Sequence, residues 1–259
     1  MALPRPRFIA LGSIAVALNL LALAPAAAAD QPIGGIAAMS PAARGTMSSG
    51  ESQELAAGAG VYFQERLATE DEGRLHIELA DRSFLDLAAN SELVIDKFVY
   101  DPGTGAGEIA GNVAMGVLRY IGGAISKNQD AVFTTPSATI AIRGSSMLVE
   151  VTQAGETRAT FLSGEHMRVT AAGVTREVLQ AGFFVSVPRR GAPPSAIRKA
   201  SRAEIGRALA AVKRRPGEQH AALHRPGGPL AKATPAKGPH KKPPAKRPPA
   251  EKPPGQPPQ

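Results

Sequence analysis

The sequence predicts an all-β protein, a short-stranded β-solenoid or sandwich-like domain, followed by a short helix and a disordered, basic, proline-rich tail. Three observations carry that prediction. Apolar residues recur at period two in Leu75, Ile77 and Leu79, in Ile140 and Ile142, and in Val149 and Val151, the pattern of strands with one buried face. Turn-forming residues interrupt these runs at short intervals, with glycines at 155, 164, 173 and 182 each nine residues apart, the spacing of a sandwich, barrel or solenoid. None of the 259 residues is cysteine, so the fold relies on its apolar core and not on disulfides.

Taken in order, the chain opens with Arg5 and Arg7, an apolar run from Phe8 to Ala24, then Pro25 and four alanines before Asp30. That layout predicts a signal peptide over 1–29, cleaved after Ala29, and hence a periplasmic or secreted protein. The alternative is an uncleaved segment that anchors the chain in the inner membrane. Residues 30–60 are rich in Ala, Gly and Ser with weak periodicity and read as a flexible lead-in. The β domain is expected over 61–187, an ordinary single-domain size.

Within it, Leu75 to Leu79 leads to a turn at Asp81-Arg82. Leu85 and Leu87 lead to Asn90-Ser91, and Leu93, Ile95 and Phe98 lead to Asp101-Pro102-Gly103. Glu108 to Lys127 has a partly helical period, but glycines at 111, 116, 122 and 123 argue against a helix. From Thr134 to Val151 two strand-like runs are interrupted by Arg143-Gly144, where glycine suits a bulge or tight bend. An arginine at such a kink must reach solvent, a carboxylate or backbone carbonyls, because an unpaired buried guanidinium is strongly unfavourable. Arg143 therefore reads as an internal brace more than as a hook for an anionic ligand. Short segments at 160–162, 167–169, 174–179 and 183–187 complete the series.

Beyond it, 188–259 holds seventeen Lys and Arg against three Glu and sixteen of the 23 prolines, whereas 30–187 holds eleven basic and nineteen acidic residues. The formal charge of +8 thus describes neither part. The tail lacks the apolar side chains of a core and is expected to be extended and disordered. A short helix is expected near 202–213: Ser201 and Glu204 have capping-box spacing, Ile205, Leu209 and Val212 share a face, and Pro216 ends it. The expected partner is an envelope protein or an anionic envelope polymer, held with the salt dependence of surface charge, and not nucleic acid.

Catalytic chemistry is not evident. His220 and His224 have i, i+4 spacing but only Glu218 nearby as a further ligand, and His76 and His166 read as surface or turn groups. Gly105 to Ala110 fits a dinucleotide fingerprint without the strand before it and the helix after it. Ser163-Gly164-Glu165-His166 lacks a nucleophile elbow. Asp71, Asp81, Asp86, Asp96 and Asp101 are scattered and read as solvated carboxylates. No catalytic residue, cofactor or metal is expected, and the chain reads as a non-enzyme. With no tryptophan and three tyrosines, a carbohydrate- or small-molecule-binding module that stacks its ligand on aromatics is disfavoured.

The order of these segments resembles the FecR domain, named for the ferric-citrate regulator of bacterial cell-surface signalling. Asp81-Arg82-Ser83 is similar to the family's aspartate-glycine-serine turn, and Asn90-Ser91-Glu92-Leu93 with Phe98-Val99-Tyr100-Asp101 to the strand pair after it. Gly116 to Gly123, Thr135-Pro136 through Ile142-Arg143-Gly144, Phe161 to Glu165 and Leu179 to Gly182 continue the resemblance. Arg82 stands where the family has glycine, and Ser145 where it has threonine. The resemblance implies that the motif positions Arg119, Thr135, Pro136, Arg143, Gly144, Gly164 and Gly182 are structural. Regulators of this type carry an anti-sigma segment before their membrane span. Seven residues before the apolar run are too few for one, so no sigma-factor contact is expected. The implied function is that of an exported, non-catalytic interaction or sensing module of the bacterial envelope, in cell-surface signalling. The alternative is a structural envelope protein anchored electrostatically by its basic tail.

Overall fold

The computed structural model describes residues 31–40, 43–213 and 219–220; the expected signal peptide and residues 221–259 of the tail lie outside them. In chain order the strands are β1 (Gly34–Ser40), β2 (Ala43–Thr46), β3 (Ser52–Glu54), β4 (Gly60–Val61), β5 (Arg66–Thr69), β6 (Arg74–Leu79), β7 (Phe84–Leu87), β8 (Glu92–Tyr100), β9 (Gly107–Ile121), β10 (Ala131–Thr134), β11 (Thr139–Arg143), β12 (Ser146–Val151), β13 (Thr157–Ser163), β14 (His166–Ala171), β15 (Val174–Val178), β16 (Phe183–Val187), β17 (Arg198–Lys199) and β18 (Gln219–His220). A 3-10 turn spans Ile125–Lys127 and one helix, α1, spans Arg202–Val212.

The strands pair into two sheets. The first runs β1-β6-β7-β9-β12-β13-β16-β17, with β4 and β18 on the free side of β1. The second runs β3-β2-β5-β8-β9-β10-β11-β14-β15. Strand β9 belongs to both, pairing with β8 and β10 over its first part and with β7 and β12 over its second. Among the described pairings only β9 with β10 is parallel. Successive antiparallel hairpins that alternate between two sheets make a sandwich, not the stacked coils of a solenoid.

The period-two pattern decides what lies between the sheets. Leu75, Ile77, Leu85, Leu87, Leu118 and Tyr120 of the first sheet join Leu93, Ile95, Phe133, Ile140 and Ile142 of the second in one buried cluster. Each such side chain contributes about 1.5–3 kcal/mol on burial. Tyr120 and Phe133 meet across the sheets with ring centroids 5.1 Å apart. The Tyr120 hydroxyl finds the Ser83 hydroxyl at 3.2 Å, and Ser83 in turn donates to Asp81 Oδ2 at 2.8 Å. Asp81 also accepts from the backbone N–H groups of Ser83 and Ile125, and burial pushes the Tyr120 hydroxyl up to about 12. Asp81 is wholly buried, so it is no solvated carboxylate: it is the acceptor that organises its hairpin turn. Arg82 in that turn adopts φ +69°, the left-handed conformation that glycine adopts more readily.

One further expectation is corrected. Residues 31–60, read as a flexible lead-in, contain β1, β2, β3 and the start of β4, and β1 lies along β6 with Ile36 fully buried. Small residues there reflect close packing, not looseness: a Cβ on Gly34 would lie 2.6 Å from the Glu78 carbonyl oxygen. Of the bulge or tight bend expected at Arg143-Gly144 the structure has the bend, the corner at which the chain leaves β11 in the second sheet for β12 in the first. His220 lies in β18, and His224 lies outside the described residues. Residues 108–127, by contrast, form no α-helix, as their glycines argued: β9 runs to Ile121 and the 3-10 turn spans Ile125–Lys127.

Helix α1 starts where Ser201 and Glu204 predicted. Ser201 Oγ accepts from the Glu204 N–H at 3.2 Å and Glu204 Oε2 accepts from the Ser201 N–H at 2.8 Å, the reciprocal bonds of a capping box. Those bonds from Ser201, with the Arg158 guanidinium behind them, hold the Glu204 carboxyl down at about 2.

Candidate functional site

Strand register places one straight row of side chains on the outer face of the first sheet. His76 lies opposite Asp86, Asp86 opposite Arg119, Arg119 opposite Leu148, Leu148 opposite Thr160, and Thr160 opposite Phe184. Their neighbours in sequence point into the core, so alternation sends this row outward. It is nevertheless largely covered: His76 is 2 % exposed, Asp86 7 % and Leu148 1 %.

The cover includes α1. Arg158 Nη1 binds Glu204 Oε1 at 3.0 Å while its guanidinium sits 3.7 Å over the Phe184 ring, and Arg74 Nε donates to the Ala211 carbonyl at 2.8 Å. Ala208 and Val212 are the buried residues of the helix. Small residues on a helix cannot fill the space above a sheet, and a cleft of about 760 Å³ remains. Phe84, Ile121, Leu209 and Val212 give it apolar walls, His76, Asp86 and Arg119 lie along its sheet side, and Lys213 lines it from the end of the helix.

His76 Nδ1 lies 2.9 Å from Asp86 Oδ1, which orients the imidazole. Asp86 Oδ2 lies 3.6 Å from Arg119 Nη1, an ion pair beyond hydrogen-bond length. Arg119 Nε is buried without a hydrogen-bond partner among the described residues. Among the described residues the lining holds no hydroxyl or thiol. Both His76 and Asp86 were expected at the surface; the hairpin about Asp81 instead pairs them in the interior of the sheet and α1 covers them.

A second charged cluster gathers on Asp130. Arg143 Nε reaches Oδ1 at 3.0 Å, Arg168 Nη1 reaches Oδ2 at 3.1 Å, and His166 Nε2 lies 3.3 Å from Oδ1. Arg168 also binds Glu177 at 2.9 Å. Two guanidiniums thus meet two carboxylates in a balanced set. His166, read as a surface or turn group, is 4 % exposed because its strand lies between β11 and β15.

The remaining motif positions do not converge on either cluster. Thr135 Oγ1 lies 2.7 Å from Thr157 Oγ1 and accepts from the Ala138 N–H at 3.0 Å, shaping the turn between β10 and β11. The Pro136 carbonyl accepts from Arg190 Nε at 3.2 Å. Gly144 and Gly164 lie back to back at the two sheet crossings, and a Cβ on Gly144 would stand 2.3 Å from the Gly164 Cα. The Gly182 N–H donates to the Phe161 carbonyl at 2.7 Å. Of the motif positions, Arg119 alone lines the cleft. Among the described residues no cluster of His, Cys, Asp and Glu could hold a metal ion, and no helix is long and apolar enough to cross a membrane.

Residues 65–187 match the family model described as FecR protein. No curated protein matches the chain. Among solved structures it is similar to two crystal structures of a candidate anti-sigma factor from Parabacteroides distasonis ATCC 8503. At 2.50 Å resolution the TM-score is 0.44 with 11 % identity, covering 56 % of this chain and 63 % of that one. At 1.65 Å the TM-score is 0.42 with 11 % identity, covering 56 % and 64 %. The chain thus spans less than two thirds of the solved structures it matches.

Proposed function

Since residues 65–187 of this chain are a FecR domain, we propose that it is a regulatory module of the bacterial envelope that works by binding a partner protein and not by turnover. The observation that carries the reading is the FecR match itself, laid over a sandwich whose outer face holds a cleft lined by His76, Asp86, Arg119, Lys213 and apolar side chains. Placement in the envelope rests on Arg5 and Arg7, the apolar run after them and the alanines before Asp30. The domain acts as the interaction or sensing part of a signalling system, and the partner is a protein of that system.

The contrast between an acidic body and a basic tail supports a second reading, an envelope protein anchored electrostatically by its tail. Crosslinking in intact cells separates the two, comparing the full chain with one lacking residues 221–259; truncation at 188 would also remove α1, which packs on the sheet. Recovery of one and the same protein with both forms supports the regulatory reading. Recovery of envelope polymers alone, lost in high salt and on removal of the tail, favours the anchor. Sustained hydrolase or transferase turnover by the purified chain would overturn both.

A further inference from the structure

We propose that the cleft under α1 binds a small amphipathic anion, a carboxylate with an apolar chain, with Arg119 as its anchoring residue. A guanidinium presents five donors in a fork that matches a carboxylate. Among the described residues Arg119 pairs with Asp86 at 3.6 Å, and its Nε is buried with no hydrogen-bond partner. Asp86 meets it with Oδ2 alone and beyond hydrogen-bond length, while its Oδ1 lies 2.9 Å from His76. Lys213, exposed at the end of α1, adds a second cation to the same lining. An anion entering beside Arg119 supplies the missing acceptor in a partly desolvated place, where charge-assisted hydrogen bonds are strongest.

The rest of the lining describes the other end of that ligand. Phe84, Ile121, Leu209 and Val212 are apolar and would bury a short alkyl chain. A volume of about 760 Å³ lies in the range of small-molecule sites, ~300–1,000 Å³, which favours a small molecule over a polypeptide helix. No aromatic platform is required, so the scarcity of aromatic residues does not count against this ligand as it does against a sugar. The site deepens the sensing half of the regulatory reading. Its test needs no partner protein, so a failed titration leaves partner capture standing.

The probe is octanoate, titrated calorimetrically into the purified chain, with octanol and octyltrimethylammonium as controls. Octanoate is expected to bind saturably at one site, octanol about tenfold or more weaker, and the cation not at all. Methyl resonances of Ile121 and Leu209 should shift on addition of octanoate. Arg119→Met should weaken octanoate about tenfold or more while leaving octanol unchanged, and Arg119→Lys should recover part of the loss. Should Arg119→Met fail to fold, Gly206→Trp provides the second test: an added Cβ there meets nothing within 4 Å, and the indole would occupy the cleft from the helix side and block binding. Equal binding of octanol and octanoate, unchanged affinity in Arg119→Met, shifts confined to another surface, or no saturable binding would each overturn the proposal.

Discussion

Replacing Gly144 by alanine should be among the most damaging single-methyl changes in this domain, and the structure says by how much. Gly144 has φ +122° and Gly164 φ +136°, backbone conformations that L-residues avoid at a cost of about 1–3 kcal/mol. The added Cβ would also stand 2.3 Å from the Gly164 Cα and 2.8 Å from the Glu165 nitrogen. Both are backbone atoms pinned by their own strands, and overpacking of this kind costs about 1–3 kcal/mol more. The sum is about 2–6 kcal/mol, a large part of the ~5–15 kcal/mol that stabilises a typical domain. At ~2–4 °C per kcal/mol for a domain of this size, the melting temperature should fall by about 4–24 °C. Gly173→Ala is the control: its φ is +76° but the new methyl would meet nothing within 4 Å, so only the backbone term of ~1–2 kcal/mol applies. Urea unfolding of the two variants, followed by near-UV signal, reads the difference directly. If Gly144→Ala lies within about 1 kcal/mol of Gly173→Ala, the two sheet crossings do not press on each other and this account of the Arg-Gly motif is wrong.

Two predictions concern pH. Glu204 is held at about 2 in the folded chain against an ordinary 4.5, so its stabilisation of α1 is fully present above about 4.5 and is lost as pH falls toward 2. Backbone chemical shifts of α1 should move toward coil over that window while those of β9 and β12 hold, and Glu204→Gln should abolish the acid step; α1 shifts that stay flat down to pH 2 would refute the role given to the capping box. Glu65 moves the other way: burial pushes its carboxyl up despite the bond from the Tyr62 N–H. Its ionisation therefore opposes folding increasingly as pH rises from 4.5 through the raised value. Glu65→Gln should lift the urea midpoint at pH 7 and change it little at pH 4; equal effects at both would show that charge is not the cause.

Much of the fold was legible because period-two patterning and turn residues are local. Leu75, Ile77 and Leu79 face the core as their alternation requires, and Ser201 with Glu204 caps the helix at the residue expected. Register was less legible, yet part of it was latent. His76 and Asp86 are each five residues from Asp81, so any hairpin centred there sets them opposite each other, and a histidine facing an aspartate on adjacent strands pairs on either face. The sequence spacing could have found that dyad. It could not have found Arg119 beside it, because β9 reaches β7 across a loop and a change of sheet, nor Asp130 beneath Arg143 and Arg168.

The lead-in was misread for a related reason. Gly34 and Gly35 weaken the alternation that marks a strand, yet a Cβ at Gly34 would strike β6, so the residues that hide β1 from pattern reading are those that let it pack. The cleft has the same origin at the other end of the chain. Gly206 and Ala210 lie one helical turn apart on the cleft side of α1, and their lack of side chain is what keeps the helix from sealing the row of His76, Asp86 and Arg119. A leucine at either position would add apolar contact and strengthen an otherwise marginal helix. A purely structural cap would gain from that exchange, whereas a site that must admit an anion to Arg119 would lose its opening. Small residues over a guanidinium with one distant partner are therefore the arrangement expected of a binding cleft.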